Sequence, residues 1–196
     1  MPDYHTIKEQ IEDGDILLFR GQVSLFNPWT WFSFLIRIWT TSQFTHVAVA
    51  SWGNFAGRSE LFCFEAMEGT GVRVVSVESY LKQGCRIDWH PLIDERVDRE
   101  KVIDWFRQRL GSRYASPWQL WRSFTLLPLM EWCKLPTLTD TDRYFCSMAA
   151  GFALEAGGFD GHIQLGKRPE MLSPGDFTRL PGLRPAGQIT FKGTSK

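Results

Sequence analysis

Cys146 is the first residue whose type and setting suggest chemistry. It follows Arg143-Tyr144-Phe145 and opens the run Ser147-Met148-Ala149-Ala150-Gly151-Phe152-Ala153-Leu154-Glu155-Ala156-Gly157-Gly158. Ala149, Ala150, Ala153 and Leu154 recur at the spacing of one buried helix face, and Gly157-Gly158 supplies a stop, which puts the cysteine in the first helical turn. The helix dipole and the unpaired N–H groups of a first turn favour an anion. A thiol held there ionises more readily, its pKa falling from about 8.5 into a range of roughly 3.5 to 7.5, and the thiolate is the form that attacks carbonyl carbon. The same position also suits an inert buried cysteine, since free Cys is among the most buried residue types. A neighbouring base decides between the two.

His46 and Glu65 are the groups that could serve the thiol. His46 stands at the mouth of Gln43-Phe44-Thr45-His46-Val47-Ala48-Val49-Ala50-Ser51, whose apolar run reads as a central strand. A histidine so placed is either a hydrogen-bonded structural residue or a base. Glu65 interrupts the buried run Leu61-Phe62-Cys63-Phe64-Glu65-Ala66-Met67, where a carboxylate is costly unless it is paired. Its expected partner is a cation or an N–H donor on the next strand, and His46 is the nearest candidate if the two strands form an antiparallel hairpin. A helix-borne thiol, a strand histidine and a third polar group make the Cys-His-X arrangement used for acyl transfer.

The elements that must position these residues follow from the same patterns. Ile7 and Ile11 mark a short helix ending at Asp13-Gly14, and Asp15-Ile16-Leu17-Leu18-Phe19-Arg20 reads as a buried strand closed by Gly21. Gly53 to Gly57 is expected to be a loop, Gly69-Thr70-Gly71 a turn, and Val72 to Val77 and Arg86 to Leu92 two further strands. Asp98 caps a helix with Val102, Ile103, Phe106 and Leu110 inward, stopped by Gly111. Strands near residues 15, 46, 62, 72 and 86 are expected to form one antiparallel sheet with the cysteine helix packed on it, an α+β fold. The 196 residues make a single domain with a Trp-rich insertion at about 117–132 and an irregular C-terminal tail.

Composition narrows the function. Lys plus Arg and Asp plus Glu are equal at 22 each, so no general attraction for nucleic acid or an anionic membrane is expected. Cys63, Cys85, Cys133 and Cys146 show no CxxC pair and no zinc-ligand spacing, so they read as free thiols, with no metal and no cofactor expected. Residues 1–8 lack a basic region followed by an apolar core, so synthesis in a cytoplasm without a secretory signal is expected. The nine tryptophans and fifteen phenylalanines gather in two places. Pro28 to Trp39, with Trp29, Trp31 and Phe32, is too short to span a bilayer and reads mostly as a core helix; Pro117 to Trp132, with Trp118 and Trp121, reads in part as an exposed wall for substrate.

Taken in order, these pieces resemble the NlpC/P60 superfamily of papain-like hydrolases, in its circularly permuted, YiiX-like branch. The matching segments are Gly14-Asp15-Ile16-Leu17-Leu18-Phe19, Thr45-His46-Val47-Ala48-Val49, Phe64-Glu65-Ala66 with Gly71-Val72-Arg73-Val74, Gly111-Ser112-Arg113-Tyr114, and Tyr144-Phe145-Cys146-Ser147. The cysteine helix comes last here, which is the permuted order. The resemblance implies Cys146 as nucleophile, His46 as general base and Glu65 as the residue that orients His46. It further implies that Tyr144, with the Cys146 backbone N–H, forms an oxyanion site with Ser147 beside it on the substrate side; the Pro117 to Trp132 segment has no match in the family, and Trp118 and Trp121 are substrate-side candidates from their aromatic wall alone. Met148 departs from the pattern, since relatives often carry Glu there.

The function so implied is a cysteine peptidase or amidase cleaving amide bonds in peptidoglycan stem peptides, acting at the cell envelope or in a phage particle. Two alternatives stay open. One is a thiol acyltransferase or a lipid amide or ester hydrolase, as in the related lecithin:retinol acyltransferase group, with an acyl-lipid substrate and peripheral membrane contact. The other is a non-catalytic phage or assembly component that keeps the fold.

Overall fold

A computed structural model describes residues 3–20, 42–55, 57–115 and 143–190. Both aromatic segments, with Trp29, Trp31, Phe32, Trp118, Trp121 and Cys133, lie outside the described residues.

Apolar runs with no polar alternation need cover on both faces, and Ile16–Arg20 (β1) obtains it by sitting inside the sheet. The chain enters through α1 (Tyr4–Ile7) and a 3₁₀ turn (Lys8–Gln10). After β1 come β2 (Phe44–Phe55), β3 (Arg58–Met67), β4 (Gly71–Ser76), α2 (Val77–Lys82) and β5 (Arg86–His90). Next are α3 (Arg99–Arg107), the short β6 (Arg113–Tyr114) and β7 (Arg143–Tyr144), α4 (Cys146–Ala156), α5 (Gly161–Gln164), two 3₁₀ turns and β8 (Gly187–Ile189). Among the described residues six strands form one antiparallel sheet in the order β4-β3-β2-β1-β5-β8, and β6 pairs with β7 in parallel. The fold is α+β.

Strand alternation divides the interior into two cores. Ile16 and Leu18 of β1, Val47 and Val49 of β2, and Phe64 and Ala66 of β3 face one side, under Val102, Ile103 and Phe106 of α3 and Ala149, Ala150, Ala153 and Leu154 of α4. Leu17, Phe19, Ala48, Ala50 and Cys63 face the other, under Tyr4 and Ile7 of α1 and Val77 and Leu81 of α2. Asp15 ties β1 to its surroundings, and its buried carboxylate is fully used. Oδ2 accepts from Trp89 Nε1 at 2.7 Å and Glu12 N at 3.1 Å, and Oδ1 from Leu92 N at 3.0 Å and Arg99 Nη1 at 2.9 Å.

Four expectations about the elements need correcting, and the first is Leu110, which lies beyond the end of α3 at Arg107 and is exposed instead of facing inward. The hairpin between β2 and β3 is tighter than a loop over Gly53 to Gly57: pairing continues to Phe55 and Arg58, and Gly53 is tolerated because the Phe62 ring covers it. Val77 begins a helix instead of ending a strand, since Val77 and Leu81, four apart, both reach the second core. The tail is less irregular than its Gly and Pro content suggests, because Ile87↔Ile189 pairing adds β8 at the sheet edge. Asp98 caps α3 as its type predicts, accepting from Lys101 N at 3.2 Å, and Gly157-Gly158 ends α4 with Gly158 at φ +91°.

Candidate active site

Glu65 takes its place from the alternation of β3. Phe64 and Ala66 point to the core under α4, so Glu65 points the other way, toward α2, with its side chain fully buried. It has the two kinds of partner that burial demands. Oε2 meets His46 Nε2 at 2.6 Å across the antiparallel β2–β3 pair, and Oε1 accepts from Arg73 Nε at 2.8 Å and Tyr80 Oη at 2.5 Å. Burial alone would raise its carboxyl pKa; His46 first, then the hydrogen bonds from Tyr80 and Arg73, overcome this and hold it at about 2.

β2 is irregular just ahead of His46. The β1–β2 ladder pairs Phe19 with His46 and Arg20 with Phe44, skipping Thr45. Phe44 and Val47, three residues apart, consequently both face the core under α4, which strict alternation forbids. Such a bulge re-aims the side chains around it. The His46 ring packs edge-on against Phe19 at 5.3 Å and spends Nε2 on Glu65, and Cys146 is near enough to influence its charge. Burial works against the charged ring, but the Glu65 carboxylate and then Cys146 outweigh it and push the imidazole up to about 10.

Cys146 is the first residue of α4 and is buried. Phe145 precedes it in an extended conformation, φ −102° and ψ 166°, and its carbonyl accepts from Ala149 N at 2.9 Å. The N–H groups of Cys146, Ser147 and Met148 therefore belong to the first turn, where no intrahelical acceptor exists. Three residues expected around the nucleophile from sequence have the following places. Ser147 is fully buried and donates its hydroxyl to the Leu172 carbonyl at 2.5 Å, fastening α4 to the turn Pro169–Met171. Met148 is buried in the core under α4, which accounts for an apolar residue at that position. Tyr144 accepts a hydrogen bond from Arg109 Nε at 3.2 Å, and its ring packs against Trp105.

A second tyrosine, Tyr114 of β6, lies opposite Tyr144 in the β6–β7 pair. Burial, then the charge of Cys146 and of Glu68, drive the Tyr114 phenol well above its ordinary pKa, so it stays protonated. Its place depends on two backbone contacts: β6 pairs with β7 just ahead of the cysteine, and Ser112 docks on β4, its carbonyl accepting from Val72 N at 2.8 Å. Gly71 permits that approach, since a Cβ there would lie 2.0 Å from Ser112 O.

Among the described residues Cys63, Cys85 and Cys146 are free thiols, and no group of three or more His, Cys, Asp and Glu could hold a metal ion. Among them also, no helix is long and apolar enough to cross a membrane. No protein-family model matches this chain, and no curated protein matches it either.

Proposed function

We propose that the protein is a cysteine hydrolase of amide bonds, with a permuted papain-like arrangement of Cys146, His46 and Glu65. The observation that carries this is the His46 imidazole held between the Glu65 carboxylate and the Cys146 thiol at the start of a helix. An imidazole so placed takes the thiol proton, and the resulting imidazolium is stabilised from both sides. The thiolate then attacks the carbonyl carbon. The oxygen that gains charge is met by first-turn N–H groups of α4 and, as the resemblance implies, by the Tyr144 hydroxyl. His46 gives its proton to the leaving nitrogen as the C–N bond breaks, which leaves a thioester on Cys146. Water, losing a proton to His46, attacks that thioester; the acid departs and the thiolate–imidazolium pair is restored.

The substrate class follows the sequence resemblance and is peptidoglycan stem peptide. The test is to incubate wild type and Cys146→Ala with muropeptides and, separately, with acyl-lipids, and to identify products by mass. Cleavage of muropeptides by wild type alone supports the proposal. Turnover of acyl-lipids alone moves the function to the lipid hydrolase or acyltransferase class, and absence of both leaves a non-catalytic component of the envelope or a phage particle.

A further inference from the structure

Glu65 has more partners than the orientation of one imidazole requires. Besides His46 on Oε2, Arg73 from β4 and Tyr80 from α2 both donate to Oε1, and Arg73 Nη2 also donates to Tyr80 Oη at 2.9 Å. Guanidinium, phenol and carboxylate thereby close a triangle. Phe19 of β1 packs edge-on against both Tyr80 and His46, with centroids 5.0 and 5.3 Å away, and walls off the group from below.

The charges along this line alternate. In the thiolate–imidazolium form of the proposed mechanism, Arg73, Glu65, His46 and Cys146 are positive, negative, positive and negative, and they cancel. Once the imidazolium has passed its proton to a leaving group and Cys146 is acylated, both of those residues are neutral. Without Arg73, Glu65 would then be a lone buried anion, a state that buried carboxylates relieve by taking up a proton. With Arg73 present the line still sums to zero.

We propose that Arg73 and Tyr80 are positioning residues that hold the Glu65 carboxylate ionised and fixed whether His46 is charged or neutral. The travelling proton is thereby confined to His46, Cys146 and the substrate. The groups that face Glu65 are His46 from β2, Arg73 from β4 and Tyr80 from α2; the thiols of Cys63 on its own strand and Cys85 beyond α2 also feel its charge, and Cys146 faces His46 from α4. The proposal rests on Cys146 and His46 being the catalytic pair.

The experiment measures alkylation of Cys146 by iodoacetamide across pH in wild type, Arg73→Gln, Arg73→Lys and Tyr80→Phe, each also in a Glu65→Gln background. In Arg73→Gln the acid limb of the profile should move up by about one pH unit, seen as roughly tenfold slower alkylation on that limb. Tyr80→Phe should move it less, Arg73→Lys should return most of it, and Arg73→Gln should add nothing once Glu65 is Gln. A lowered melting temperature with an unmoved limb, or an equal shift in the Glu65→Gln background, would overturn the proposal. A parallel measurement needs neither substrate nor thiol: the His46 Nε2–H signal followed by NMR against pH in Cys146→Ala. Its acidic step reports protonation of Glu65 and should move up in Arg73→Gln. Unreactive Cys146 in wild type would remove the hydrolase function, whereas an unmoved acidic step would remove the role of Arg73, so the two failures are separate.

Discussion

Replacing Glu65 with Gln removes one negative charge and keeps nearly the same volume, so its consequences can be worked out in advance. The amide must turn its NH₂ either to His46 Nε2 or to the Arg73–Tyr80 side, and every group it meets in those directions already donates. One polar contact is lost in either case. Breaking a buried ion pair costs about 3 to 5 kcal/mol, but the Arg73 side chain is 35% exposed and water can recover part of that, so a loss of about 2 to 3 kcal/mol is expected. The effect on chemistry is separate. An opposite charge within hydrogen-bond distance shifts a pKa by about 1 to 3 pH units, and its loss should lower the His46 imidazole by that much and deplete the reactive thiolate–imidazolium pair by about 10-fold or more. The assay is the rate of Cys146 alkylation against pH, on protein whose folded fraction is fixed from a urea melt. The variant should lose rate near neutrality and its upper limb should fall below the wild-type value. His46→Ala should go further, to an ordinary thiol profile rising near about 8.5. A Glu65→Gln profile that superimposes on wild type, in folded protein, would refute the role of Glu65.

Three other outcomes are expected. The raised His46 contributes stability fully present below its unfolded value of 6.5 and lost as pH rises toward about 10, while the lowered Glu65 contributes stability present above 4.5 and lost as pH falls toward about 2. Urea unfolding free energy should therefore be highest between those two unfolded values and fall on either side, and His46→Ala should flatten the alkaline fall. Asp15→Asn breaks a buried ion pair with Arg99 and should cost about 3 to 5 kcal/mol by chemical denaturation, while Cys146 alkylation per folded molecule stays at the wild-type rate. Gly71→Ala combines φ +76° with the clash against Ser112 and should cost more than about 1 kcal/mol; because it displaces β6, it should also change turnover, measured together with melting temperature.

The parts of the protein that are legible in its sequence are those set by local patterns. Five of the six strands are apolar runs bounded by turn residues, Asp98 caps a helix by its own side chain, and Gly157-Gly158 stops another, because caps, turns and two-sided burial act over a few residues. Glu65 also declared itself, since a carboxylate in an apolar strand must have partners, and His46 was the nearest on a hairpin. Tertiary structure decided what depends on elements distant along the chain. Ile189 joins the sheet only because β5 offers it an edge, and Tyr80 reaches Glu65 only because Val77 and Leu81 dock α2 on the second core. The bulge at Thr45 lies in the pairing of β2 with β1, not in either strand's own sequence, yet it turns both Phe44 and Val47 to the core under α4. Tyr114 and Tyr144 are alike as residues, and only the pairing of β6 with β7 sets them opposite each other, with Tyr144 against Arg109. Side-chain type determines which interactions a residue can make, whereas long-range backbone pairing determines which of them are within reach.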